Sequence, residues 1–207
     1  YAPTRGNCRK LSKSEMYLCD SGGQYLDGTT DITRTVHFGI PTQHEIRCFT
    51  RVLQGHIALA SAVFPIGTPG HKLDILARLP LHQDGLDYRH GTGHGVGCFL
   101  NVHEGPQAIS KSNTIKIQEG MVLSNEPGYY KKDNFGIRIE NLVYVKKQNR
   151  KIFFENLTLA PIEKDLINFK LLNSSEKDYL FKYHLKVYSK ISKYLNSKEK
   201  KWLASFI

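Results

Sequence analysis

Apolar positions along this chain alternate between two periods. Residues 42–64 place Ile46, Phe49, Val52, Leu53, His56, Ile57 and Ala60 at helical spacing, with Pro41 before the run and Gly67-Thr68-Pro69-Gly70 after it. That pattern predicts a long helix, and residues 71–81 predict a second. Residues 17–20 and 31–37 read instead as β segments, with Gly22-Gly23 and Asp27-Gly28 as turn or bulge signals between them, so a hairpin with an irregular loop is expected. Residues 108–120 read as loop with a short strand, 121–126 and 136–145 as strands, and 157–161 as a further extended piece. Near the end, Tyr179, Leu180, Tyr183, Val187, Ile191 and Tyr194 mark an amphipathic helix with a lysine-rich outer face. Strands and helices without regular alternation point to an α+β fold.

Composition narrows this picture. At 207 residues and 40% apolar content the chain is long enough to bury one sizeable core. The longest apolar stretch, residues 57–64, is far too short to span a bilayer, and the first residues lack a basic-then-apolar leader pattern. No membrane partner and a cytoplasmic location are therefore expected. Cys8, Cys19, Cys48 and Cys98 show no CxxC spacing, which suits free thiols in a reducing compartment.

The formal charge of +10 is uneven, because residues 164–207 carry ten lysines against four acids, a net +6. Lysine dominates and no nucleic-acid motif accompanies it, so a solvated helix face is expected and no nucleic-acid partner.

The chemistry lies in carboxylates. Asp20, Asp31, Glu126 and Glu140 all fall in strand-like surroundings, where an unpaired carboxylate is costly. Each alone has an ordinary explanation: a turn start at Asp20, a cap at Asp31, a strand end at Glu126, a pair with Arg138 at Glu140. Together with His94 in the glycine-rich HGTGHGVG segment they offer what two divalent cations require, several oxygens and a nitrogen. Gly91, Gly93, Gly95 and Gly97 around that histidine allow close approach of backbone and substrate.

Four blocks, DSGGQYLDGTTDITRT, HGTGHGVGCFLNVHEGP, SNEPGYY and GIRIEN, occur here in an order that resembles the aminopeptidase P (Xaa-Pro aminopeptidase) family of the creatinase, prolidase and methionine aminopeptidase superfamily. The tail resembles the C-terminal extension of its eukaryotic cytosolic type. The resemblance implies the pita-bread fold, with residues 1–162 as a dinuclear-metal peptidase domain and 163–207 as a basic helical extension. It implies metal ligands at Asp20, Asp31, His94, Glu126 and Glu140, with Asp31 and Glu140 bridging two divalent ions, usually manganese and in some members zinc. It further implies that His90 and His103 hold substrate and stabilise the tetrahedral intermediate, that Glu126 carries a proton to the leaving nitrogen, and that Arg138 orients a ligand carboxylate.

The implied reaction is hydrolysis of the bond between an N-terminal residue and a following proline, by a hydroxide bridging the metals. Peptides with proline second are the implied partners, and a homodimer the implied assembly. A prolidase restricted to Xaa-Pro dipeptides and a metal-free binding module of the same fold are the alternatives. The family also has an active-site histidine directly before the YAPT segment, so this chain is expected to begin partway through the catalytic domain.

Overall fold

The computed structural model describes Gly6, residues 10–97 and residues 101–207. Strands β1 (Met16–Tyr25) and β2 (Gly28–His37) pair antiparallel from Met16 opposite His37 to Tyr25 opposite Gly28. Only Leu26 and Asp27 lie between them, so the expected irregular loop is a tight turn. Gly22 and Gly23 sit inside the ladder opposite Asp31 and Thr30. The β-branched run of Thr29, Thr30, Ile32, Thr33, Thr35 and Val36 favours strand strongly enough to carry the facing glycines into it.

Helix α1 (Gln43–Ala60) starts at Thr42, whose hydroxyl accepts the Glu45 N–H while the Glu45 carboxylate accepts the Thr42 N–H, a reciprocal cap. It stops short of residue 64 because Val63–Pro65 forms β3. Helix α2 (Gly70–His82) follows, then the short strands β4 (Gly93–His94) and β5 (Ala108–Ile109). Four further strands are β6 (Val122–Asn125), β7 (Gly128–Lys131), β8 (Phe135–Arg138) and β9 (Asn141–Gln148). Strand β10 (Lys151–Asn156) completes an antiparallel four-stranded sheet of order β3-β10-β9-β6. The single strand expected over 136–145 is thus two, because β8 pairs with β7 whereas β9 pairs with β6 and β10. Ile139 and Glu140 fall at the crossover. Residues 157–161, expected as a further extended piece, join no ladder; their carbonyls serve side chains instead.

The tail forms α3 (Ser174–Ile191) and α4 (Ser197–Ala204). Leu180, Tyr183 and Val187 are buried as the stripe predicts, but Tyr194 is exposed, since α3 closes at Ile191 and a short 3₁₀ turn carries Tyr194 out of phase. Most of α1 is buried, and it contributes to two cores. Cys48, Phe49, Val52, Leu53 and Ile57 pack with α3, α4 and the Ile137–Ile139 region, whereas Leu59 packs with α2 and the four-stranded sheet. Gly55 is where α1 meets α2: a Cβ there would lie 2.1 Å from the Ala77 carbonyl oxygen.

Among the described residues no helix is long and apolar enough to cross a membrane. Cys48 is buried, Cys19 half-buried, and both are free. Cys8, Cys98 and the YAPT segment lie outside the described residues.

Candidate metal centre

Register puts the first three side chains together. Asp20 faces Thr33 and Gly22 faces Asp31 in the hairpin ladder, so Asp20, Asp31 and Thr33 share one face of it. Glu140 arrives from the β8–β9 crossover, its N–H donating to the Thr33 carbonyl at 3.1 Å. His94 ends β4, and Glu126 follows β6, to which β4 is joined through Gly95 and Leu123. A Cβ on Gly93 would lie 2.0 Å from the Ser124 carbonyl oxygen, so the glycine here lets two backbones touch.

The donor atoms converge in three overlapping groups, each within 4.8 Å: Asp20, Asp31 and Glu140; His94, Glu126 and Glu140; Asp31, His94 and His103. The His94 Nε2 lies 3.4 Å from Asp31 Oδ2 and 3.3 Å from Glu126 Oε1. Its Nδ1 faces the Gly95 carbonyl at 3.0 Å, which assigns the proton to Nδ1 and leaves Nε2 as the donor atom. Short hydroxyls aim the carboxylates. Thr33 donates to Glu140 Oε2 at 2.6 Å, and Ser124 donates to Glu126 Oε1 at 2.9 Å while accepting the His94 N–H.

Arg138 holds Asp20 through Nη2, donates from Nε to Thr33 Oγ1 at 3.0 Å, lies 3.7 Å from Glu126 Oε2, and donates from Nη1 to the Tyr130 hydroxyl. That hydroxyl also meets His90 Nε2 at 2.9 Å. His103 lies against His94 with ring centroids 3.8 Å apart and planes tilted by 33°, and lines, with Asp20 and Asp31, a cleft of about 350 Å³. All eight sequence-predicted residues therefore meet in one place.

Burial differs from expectation at one of them. Asp31 and Glu140 are buried and Glu126 half-buried, but Asp20 is exposed because its strand position opens on the cleft. Electrostatics mark the group as unbalanced. Burial, then the charges of Glu126 and Asp31, push the Glu140 carboxyl up to about 8. Burial also raises Glu126. Burial opposes protonation of His94, yet its bond to Asp31, the Gly95 carbonyl and the charge of Glu126 outweigh it and raise its pKa. Burial lowers His90, and burial with the neighbouring His94 lowers His103. The second oxygen of Glu140, Oε1, is buried with no hydrogen-bond partner. Four carboxylates, imidazoles aimed at them and an orphaned buried oxygen fit a pair of divalent cations by the chemistry of the donor set.

Sequence reasoning missed the support behind the glycine-rich segment. Arg78 of α2 and Asp74, one turn away, are almost fully buried and paired at 2.7 Å. Arg78 also reaches Asp87 and the carbonyls of Tyr88 and His90, and its guanidinium lies 3.9 Å from the Tyr88 ring centre. Thr92 donates to Asp74 at 2.6 Å, meets the Tyr88 hydroxyl at 2.5 Å, and offers its carbonyl to the Glu126 N–H at 2.8 Å. An aspartate and an arginine at i, i+4 on an otherwise apolar helix face were the available signal.

Comparison with known proteins points to a metallopeptidase family. Residues 1–147 match the profile of Metallopeptidase family M24, and residues 152–205 that of the C-terminal region of peptidase M24. A probable Xaa-Pro aminopeptidase P from Laccaria bicolor is 52% identical over 216 residues, covering 98% of this chain and 34% of the relative. The crystal structure of X-prolyl aminopeptidase from Caenorhabditis elegans, described as a cytosolic enzyme with a di-nuclear active site, superposes with TM-score 0.94 at 42% identity, over 99% of this chain and 35% of that one. A recombinant prolidase from Thermococcus sibiricus superposes with TM-score 0.67 at 32% identity, over 78% of this chain and 42% of that one. The present chain spans about a third of the length of the curated relatives it matches. Its fold is the pita-bread fold expected from the sequence, and it belongs to metallopeptidase family M24.

Proposed function

We propose that this chain carries the two-metal hydrolytic centre of an aminopeptidase that releases the residue preceding a proline. The observation that carries the reading is the convergence of Asp20, Asp31, His94, Glu126 and Glu140, with the orphaned Oε1 of Glu140 at its middle. These five would hold the cations, with manganese expected and zinc compatible with the same donors. When bound, a metal pair supplies an acidified water as nucleophile and positive charge for the scissile carbonyl. The remaining work belongs to side chains. Thr33 and Ser124 fix the carboxylate directions, and Arg138 holds Asp20 from behind. Glu126, half-buried with Oε1 3.3 Å from His94 Nε2, is placed to take a proton and return it to the proline nitrogen. His103 in the cleft and His90 beside Tyr130 are placed to hold the peptide and to donate to the oxyanion.

A proline nitrogen carries no N–H and its ring fixes the chain direction, so peptides with proline second need a dedicated cleft. Identity of 50–52% over 98% of the chain with relatives named Xaa-Pro aminopeptidase P or aminopeptidase P supports an aminopeptidase over a prolidase. Residues 1–162 act as the peptidase core and 163–207 as a basic helical extension. Exposed Phe169, Phe181 and Trp202 on that extension support a homodimer, and the neighbour's cytosolic description supports a cytoplasmic location.

The test is elemental analysis of the full chain after manganese loading, alongside hydrolysis of Xaa-Pro-Yaa and Xaa-Pro peptides by native protein and Glu140→Gln. Bound metal and tripeptide cleavage, both lost in Glu140→Gln, are expected. Cleavage of dipeptides alone would instead identify a prolidase, and absence of metal would remove the reading altogether.

A further inference from the structure

Arg34 stands on β2 next to Thr33 of the site but points to the other face, as strand alternation requires. Its hydrogen bonds go to neutral oxygens. Nη1 donates to the Glu140 carbonyl at 2.6 Å and to the Thr33 carbonyl at 2.9 Å, and Nε donates to the Pro161 carbonyl at 2.9 Å. Nη2 is shared among Asn141 Oδ1 at 2.7 Å, the Ala160 carbonyl at 2.9 Å and the Tyr183 hydroxyl at 3.1 Å. Burial lowers its pKa, while Tyr183 and Glu140 oppose that drop. A charge kept in such surroundings at a cost in hydration calls for a purpose that a neutral residue would not serve.

Two bonds from β2 converge on one residue. Glu140 has its N–H fixed by the Thr33 carbonyl and its own carbonyl fixed by Arg34, so the backbone from which the carboxylate springs is held on both sides by β2. The other end of the cluster is helix α3. The Tyr183 hydroxyl accepts from Arg34 and lies 2.8 Å from the Ala160 carbonyl. One turn earlier, the Tyr179 hydroxyl accepts from Asn156 Nδ2 at 2.8 Å, and Asn156 Oδ1 accepts from Asn141 Nδ2 at 3.0 Å. The two tyrosine rings stack at 6.3 Å with planes 5° apart. Two routes, through Arg34 and through Asn141 and cross-linked by the Arg34–Asn141 bond, thus join the C-terminal helix to the segment that presents Glu140.

We propose that Arg34 and Tyr183 are positioning residues for the Glu140 carboxylate, through which α3 acts as a working part of the metal centre. The inference rests on the assignment of Glu140 as a metal ligand. Outer partners of metal ligands change metal affinity without touching the ion, and the effect expected here is of that kind.

The experiment is manganese titration by calorimetry, with kcat and KM for an Xaa-Pro-Yaa peptide, on the full chain and its Tyr183→Phe, Arg34→Lys, Leu180→Ala and Glu140→Gln variants. Tyr183→Phe keeps the ring and removes only the hydroxyl, so it should fold. It is expected to weaken manganese binding by roughly 10-fold or more, with kcat falling and KM little changed. Arg34→Lys, which keeps the charge and loses the fork, should do at least as much. Leu180→Ala empties a core position on the same helix and should cost more thermal stability while affecting manganese affinity less than Tyr183→Phe. Unchanged affinity in Tyr183→Phe, or losses in both helix variants that simply follow their melting temperatures, would overturn the positioning role. Full affinity in Arg34→Lys would reduce Arg34 to a charge and overturn it equally. Unchanged binding in Glu140→Gln would overturn the ligand assignment itself.

Discussion

Substituting Arg78 with methionine removes the cation from a place where its partners cannot reach water. Arg78 and Asp74 have side chains 2% and 3% exposed, so solvent screens their attraction little. Methionine fills much of the volume but leaves Asp74 with the Thr92 hydroxyl as its remaining donor from this network, and strips the donor from the Tyr88 and His90 carbonyls. Breaking a buried ion pair from one side costs about 3–5 kcal/mol. Asp87, whose side chain is 39% exposed, adds little because water can replace Arg78 there. For a chain of this size each kcal/mol moves the melting temperature by about 2–4 °C, so a drop of roughly 6–20 °C is expected. Peptide hydrolysis should also fall at temperatures where the variant is folded, since Thr92 and the His90 backbone lose their anchor. Urea and thermal unfolding measure the first effect. Adding Asp74→Asn to Arg78→Met removes the stranded charge and should restore part of the loss. A single-variant cost below about 1 kcal/mol, or a double variant no more stable than the single, would refute the reasoning from a buried, mutually dependent pair.

Two further outcomes follow from the geometry. Gly93→Ala places a methyl group 2.0 Å from the Ser124 carbonyl oxygen, forcing apart the strands that present His94 and Glu126; manganese affinity should drop at least roughly 10-fold, and a normal titration would contradict the contact. His184 accepts the Ile162 N–H at 3.1 Å, and burial, with Arg34 nearby, pushes its pKa down from 6.5 to about 4. The folded state therefore holds it neutral where the unfolded chain protonates it, so stability is complete above pH 6.5 and declines as pH falls to about 4, by at most about 3 kcal/mol. His184→Gln should flatten that slope in urea unfolding between pH 7 and 4, and an unaltered slope would assign the acid sensitivity elsewhere.

The sequence made different parts of this molecule legible for different reasons. Helices α1 and α2 were readable because their apolar periodicity is long and their ends carry Thr42, Pro69 and Gly70. The eight candidate residues could be singled out because the motifs that carry them are short, contiguous blocks of the chain. Strands β7 and β10 were not, since a four-residue ladder such as Gly128–Lys131 has no period to detect and exists through its partner. The break at Ile139–Glu140 was hidden for the same reason: a run of buried Ile137, Ile139, Val143 and Val145 looks like one strand, and only the competing partners divide it. Thr33, Ser124 and Tyr130 are unremarkable in sequence and become meaningful only where register and turn bring them beside a carboxylate or imidazole. The bonds from Arg34 to residues 160, 161 and 183 span more than 120 positions, a distance over which pattern carries no information.

Because α1 faces two cores at once, neither can loosen without exposing the other. Such sharing merges what would be two folding units into one, and the amides in the middle of α1, around Val52 and Leu53, should be the last to exchange with solvent, at the free energy of global unfolding. It also assigns where the molecule can afford to move. Strands β6 and β8, which lead into the candidate ligands Glu126 and Glu140, contact this helix, while the β1–β2 tip, with Tyr25 and Leu26 standing 65% and 93% exposed, has no core behind it. Under the proposed function, adaptation to different peptides falls to the rim of the cleft, away from the helix-backed segments that present Glu126 and Glu140.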